Sequence, residues 1–129
     1  MKHLVPVLVV AAGGGVGSAL RYLLSVFAQR QAIVFPHGTL WANLLGCLAI
    51  GAIASVAARS EVLSPTLRLL LATGLCGGFT TMSSFVYELM QFVREGDYLL
   101  AAGYFGLTFL GCVLMFWLGS FAVRIALRG

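Results

Sequence analysis

The chain has 129 residues, of which 60% are hydrophobic and 9% charged, with a net charge of +4 and a mean hydropathy of +1.01. An ordinary soluble domain carries roughly 25% charged residues, so this composition excludes that class and describes an integral membrane protein. At ~20 apolar residues per span, four spans with short connections use nearly all of this sequence. No room is left in it for a soluble catalytic domain, and function is expected within the bilayer or between subunits.

The expected fold is all-α, one four-helix transmembrane domain over 1–129, with spans at about 4–27, 37–58, 66–93 and 98–126. Pro36-His37-Gly38, Ser60 to Pro65, and Arg94-Glu95-Gly96-Asp97 separate them. Span 1 opens with Met1-Lys2-His3 and the apolar run Leu4 to Ala12, which superficially resembles a signal peptide. The run continues through Gly17 to Val26, which suits a retained first span better. Gly13, Gly17 and Arg21 recur every four residues and so share a face. Small residues at this spacing let helices approach closely. A guanidinium at the depth of Arg21 needs a partner, water or the interface.

In span 2, Asn43, Cys47, Gly51 and Ser55 form a stripe of small or polar residues. Asn43 offers two amide donors and one carbonyl acceptor, and helix-to-helix hydrogen bonding is its ordinary membrane role, worth ~1 kcal/mol. Trp41 and Tyr98 suit the interface.

Span 3 is expected to break at Gly77-Gly78-Phe79-Thr80-Thr81-Met82-Ser83-Ser84-Phe85. Non-helical backbone at membrane depth survives only where it is buried in protein or lines a pathway. Such broken helices are common ion and substrate sites. The first half would end in unpaired carbonyls suited to a small cation, and the second would begin with unpaired N–H groups suited to an anion. Thr80, Thr81, Ser83 and Ser84 add hydroxyls, and Phe85 a ring with an electropositive edge. Beyond the break, Glu88 is the one carboxylate inside an expected span, placed for a structural hydrogen bond, for pairing with a cation such as Arg21, or for ion coupling. In span 4, Tyr104, Thr108 and Cys112 share a face.

No nucleophile–base pair, metal-ligand cluster or phosphate loop is visible, so no enzyme is expected. Gly13-Gly14-Gly15-x-Gly17 lies in an apolar span rather than after a strand, so it is no dinucleotide fingerprint. His3 and His37 give no ligand set. Cys47, Cys76 and Cys112 lie in spans without metal-ligand spacing and read as small apolar packing residues. The positive charge sits at span ends and in loops and does not imply nucleic acid. Lys2, Arg59, Arg68, Arg124 and Arg128 fall on one side and Arg30 and Arg94 on the other. That count favours termini inside while leaving both orientations open.

Taken together, these residues resemble the small bacterial fluoride channels, also called camphor-resistance or CrcB proteins. The resemblance runs through all four spans: Gly13-x-x-x-Gly17-x-x-x-Arg21-Tyr22, then Gly38-Thr39-Leu40-Trp41-Ala42-Asn43-Leu44-Leu45-Gly46, then Thr73-Gly74-x-x-Gly77-Gly78-Phe79-Thr80-Thr81 with Ser83-Ser84-Phe85 and Glu88, and finally Tyr104 and Gly111. It implies an antiparallel, dual-topology homodimer in the bacterial inner membrane, with two pores that pass fluoride passively and select against chloride. It also implies a structural sodium ion at the dimer centre, held by the backbone carbonyls of Gly77 and Thr80. Asn43 would donate to fluoride, Phe85 would be one of two pore-facing rings, and Tyr104 and Thr108 would fall along a polar track beside Thr81 and Ser83. Arg21 would line a vestibule. The sequence departs from the pattern at the first ring position, where Met82 stands for a phenylalanine, and at Ser84 and Cys112, where threonine and serine are more usual.

The rival reading is a small multidrug exporter that exchanges protons for cationic drugs. It needs a membrane carboxylate, usually in its first span, where this chain has Arg21 and no acid. A non-transporting scaffold would explain the small-residue faces but not a polar run inside span 3.

Overall fold

The computed structural model describes residues 3–29, 35–59 and 61–127. Met1, Lys2, Arg30, Ser60 and Arg128, used above for the chain start, the charge count and a linker, lie outside them. All the described regular structure is helical: α1 (Leu4–Gln29), α2 (His37–Arg59), the short α3 (Pro65–Arg68), a π-helical stretch (Leu69–Cys76), α4 (Gly77–Phe79), α5 (Met82–Glu95) and α6 (Tyr98–Ala126). Four apolar helical runs, Leu4–Ala28, His37–Arg59, Pro65–Glu95 and Tyr98–Ala126, are long enough to cross a bilayer.

The third run is held at each end by its own chemistry. Ser64 caps α3 by accepting from Leu67 N–H at 3.2 Å, with Pro65 in the first turn where its missing N–H costs nothing. At the far end Gly96 takes a left-handed φ of 82°, and Asp97 N–H reaches back to Phe92 C=O at 2.9 Å. A side chain at Gly96 would meet the steric penalty that glycine avoids. Between these ends the backbone winds wide over Leu69–Cys76, so that Gly77 N–H donates to Ala72 C=O, five residues back. Pattern reading did not anticipate this π-helical stretch.

Two helix pairs form the frame. α1 lies on the first half of span 3 through backbone-close glycines: a Cβ on Gly13 would strike Leu70 C=O, and one on Gly17 would strike Leu75 C=O. α2 lies on α6 in the same way, with Gly111 against Leu44, Gly51 against Phe116 and Gly119 against Ala52. In both pairs the contacting residues ascend together, so spans 1 and 3 run parallel, as do spans 2 and 4. Ser25 of α1 meets Gly38 of α2. The largest fully buried side chain among the described residues is Tyr104, 1% exposed, in a cluster with Leu40, Leu44, Phe85, Phe92 and Ala101. Much of the remaining apolar surface faces outward, as the lipid-facing or subunit-facing side of a span must.

Candidate functional site

Helicity stops for two residues between α4 and α5. Thr80 (φ −80°, ψ 157°) and Thr81 (φ −150°, ψ 116°) have extended backbone. Asn43 on α2 meets Thr81 here with its whole amide. Thr81 N–H donates to Asn43 Oδ1 at 2.8 Å, and Asn43 Nδ2 donates to Thr81 C=O at 3.0 Å. Thr81 then caps α5, its Oγ1 accepting from Ser84 N–H at 3.2 Å and donating to Ser84 Oγ at 3.1 Å, with Ser83 Oγ at 3.3 Å.

These bonds redirect two donors. In an unbroken helix Thr81 N–H would close onto Gly77 C=O, and Ser84 N–H onto Thr80 C=O. Asn43 takes the first and the Thr81 hydroxyl takes the second. The carbonyls of Gly77 and Thr80 therefore lose their helical partners at the same break. Thr80 itself is tied backward, its N–H and Oγ1 both donating to Cys76 C=O at 3.0 Å. Its methyl presses on Gly46 of α2, where any Cβ would collide with it.

Arg21 is half-buried beside α4, where its Nε donates to Gly78 C=O at 3.2 Å and Ser18 Oγ donates to the same oxygen at 3.4 Å. The guanidinium thus finds a backbone carbonyl. Glu88 finds two hydroxyls: Thr39 Oγ1 donates to Oε1 at 2.7 Å and Tyr104 OH donates to Oε2 at 2.7 Å. Of the roles open to Glu88 in the sequence, the structural hydrogen bond is the one these contacts make. The Tyr104 ring packs among Phe35, Phe85 and Phe92, with centroids 5.3, 5.0 and 5.9 Å away.

A groove of about 690 Å³ opens at the break. Asn43, Gly77, Thr80, Thr81, Met82, Phe85 and Thr108 all line it. Thr108 Oγ1 is buried there without a hydrogen-bond partner among the described residues. Ser83 is exposed beside Thr81, while Arg21 and Tyr104 lie off this groove, Tyr104 joining it to Glu88 through the Phe85 contact. Sequence reasoning did not single out Thr39, whose only signal was its place one turn before Asn43.

The fold and the polar break define a small multi-pass helical membrane protein. A family model described as CrcB-like protein, Camphor Resistance (CrcB), matches residues 8–120. The chain is 44% identical over 112 residues to the fluoride-specific ion channel FluC of Chlorobium phaeobacteroides (strain BS1), covering 87% of this chain and 88% of that protein. It is 40% identical over 119 residues to the fluoride-specific ion channel FluC of Prosthecochloris aestuarii (strain DSM 271 / SK 413), with 92% and 93% covered. A similar relative from Methylobacillus flagellatus is 40% identical over 124 residues, with 95% and 97% covered. The chain belongs to the CrcB family.

Proposed function

We propose that the protein is a passive, fluoride-selective channel, and not an enzyme, that lets cytoplasmic fluoride leave the cell across the bacterial inner membrane. One observation carries the reading: a backbone break pinned by Asn43 opens onto a groove where Thr81, Phe85 and the Thr108 hydroxyl, unpartnered among the described residues, converge. Its relatives named as fluoride channels support the choice of ion. A small anion needs donors that are fixed but uncharged, since a fixed cation would trap it. Asn43 Nδ2 gives one hydrogen to Thr81 C=O and has a second to offer. The Thr108 hydroxyl and the electropositive ring edge of Phe85 extend the path. Outward flow is driven by the membrane potential at about 2.3 kcal/mol per charge per 100 mV.

The working unit is an antiparallel, dual-topology homodimer with two pores. Met82 is 72% exposed and Ser83 is exposed on the flank of the break. Polar backbone there cannot face hydrocarbon, so a second copy covers it. The five-to-two lysine and arginine count favours one orientation by a margin small enough to leave insertion both ways open. Gly77 and Thr80 fit the implied sodium ion, because their carbonyl oxygens are released from helical bonding at one place. Bound there, sodium would add a positive charge that the released carbonyls of Gly77 and Thr80 neutralise in part, and so would hold the break in its extended form. A proton-coupled exporter is not favoured, since both oxygens of Glu88 already accept hydrogen bonds from neighbouring hydroxyls.

Efflux from liposomes containing the purified protein, read with fluoride and chloride electrodes, tests this. Rapid fluoride loss with negligible chloride loss is expected. Equal loss of both ions, or of neither with sodium present, would overturn the proposal.

A further inference from the structure

The break frees more carbonyls than the pair at Gly77 and Thr80. The first half of span 3 ends at Phe79, and the carbonyls of its last turn lose their helical donors there. In an unbroken helix Gly78 C=O would accept from Met82 N–H, but Met82 opens α5 after two extended residues. Helix α1 claims that oxygen instead, with Arg21 Nε donating at 3.2 Å and Ser18 Oγ at 3.4 Å. Gly14, Ser18 and Arg21 follow one another at helical spacing on α1. A Cβ on Gly78 would strike Gly14 C=O, so the oxygen, its two donors and the backbone behind it are fixed together. Glu88 does not cancel the charge, since its two oxygens are held by Thr39 and Tyr104. A guanidinium thus stands on the negative end of a half-helix, next in the chain to the carbonyls proposed to hold sodium.

We propose that Arg21 sets the strength of that cation site as a positioning residue: by binding Gly78 C=O it withholds a further oxygen, and by its charge it lowers the hold on sodium. The inference rests on the sodium reading above and is independent of the passage of fluoride. Both effects act in the same direction. A carbonyl oxygen has two lone pairs, and Gly78 C=O already accepts from two donors. Neutral carbonyls attract a cation through their dipoles alone, whereas a fixed unit charge in the same turn repels it, and more strongly than it would in bulk water. The arginine also compensates the half-helix end when no cation is there, so the break keeps its shape in either condition.

The test follows the melting temperature of the full-length chain in detergent against sodium chloride, with ionic strength held constant by N-methyl-D-glucamine chloride. Wild type is expected to melt higher as sodium rises, with a defined midpoint concentration. Arg21→Gln keeps an N–H donor for Gly78 and loses the charge, so its midpoint should fall on the order of tenfold. Arg21→Lys keeps the charge and should keep the wild-type midpoint. Ser18→Asp leaves Arg21 in place and brings it a counter-charge one turn away. Its midpoint should fall too, which decides the matter should Arg21→Gln not fold. A merely structural arginine predicts the reverse, because loosening the break would weaken the site and raise the midpoint. A midpoint raised or unchanged in either folded variant would overturn the proposal. If wild type and both variants melt without any response to sodium, the sodium reading fails together with the tuning. A response that wild type and the variants share unchanged removes the tuning alone.

Discussion

Asn43 and Thr81, 38 residues apart, exchange two hydrogen bonds, with Thr81 N–H donating at 2.8 Å and Asn43 Nδ2 returning one at 3.0 Å. A side-chain amide here takes the place of a helical neighbour. It satisfies one donor and one acceptor where the backbone is extended and water is scarce.

Removing that amide should therefore destabilise the fold and stop transport together. Asn43→Ala leaves Thr81 N–H and C=O unpaired, at ~1–3 kcal/mol for each buried group. Asn43→Asp keeps the acceptor for Thr81 N–H and loses the donor, so it should melt between wild type and Asn43→Ala. On the proposed channel reading neither should pass fluoride, because both lack the amide hydrogen that reading assigns to the anion. Thermal melting in detergent and liposome efflux check the two arms.

The glycine faces make a sharper packing prediction. A Cβ on Gly17 would strike Leu75 C=O and come within 2.8 Å of Phe79 N, both rigid backbone. Gly17→Ala should cost ~1–3 kcal/mol by forcing α1 away from span 3. A Cβ on Gly15 would meet nothing within 4 Å, so Gly15→Ala should be neutral or stabilise the helix by about 0.5–1 kcal/mol. Equal melting temperatures for the two variants would contradict the close approach of α1.

The four spans were legible because lipid leaves so little choice: apolar length and internally paired backbone restrict the fold, and the expected 98–126 coincides with α6. The glycine stripe of span 1 was legible for the same reason, since only small residues allow backbones to touch. The partners of the polar groups were not. Arg21 could have met Glu88 by charge alone, but it donates to Gly78 C=O. Glu88 instead meets Thr39, 49 residues away, and Tyr104. Which donor reaches which acceptor depends on helix register, and sequence periodicity fixes the face of a helix without fixing its register against a neighbour. The π-helical stretch left no trace either, because Leu69 to Cys76 is as apolar as an α-helical span.

Tyr104→Phe isolates the second polar pairing. It keeps the ring against Phe35, Phe85 and Phe92 and removes only the hydroxyl that serves Glu88 Oε2. A carboxylate oxygen that loses its donor in a buried setting costs ~1–3 kcal/mol. The expected result is a lower melting temperature with the helical circular dichroism unchanged. Tyr104→Phe combined with Glu88→Gln should recover part of the loss, since a neutral amide tolerates the missing donor better than an anion does. Strict additivity of the two losses would show that the residues do not act as a pair.

Met82 separates stability from transport most cleanly. Its side chain is 72% exposed at the edge of the groove, so replacing it should move the stability of the single chain's own fold by no more than ~0.5 kcal/mol. Phe85, one turn on, offers a ring edge of fixed positive character, whereas the thioether of Met82 is flexible and polarizable without one. If fluoride passes both positions, Met82 must swing aside or offer only a weak contact, and Met82→Phe should change the efflux rate and raise discrimination against chloride. Met82→Ala should lower discrimination, because it removes contact without adding a ring. The two variants should melt with wild type while differing from it in liposome efflux. Unchanged rate and selectivity in Met82→Phe would place Met82 in packing against a neighbouring subunit and leave Phe85 as the single aromatic contact of the pathway.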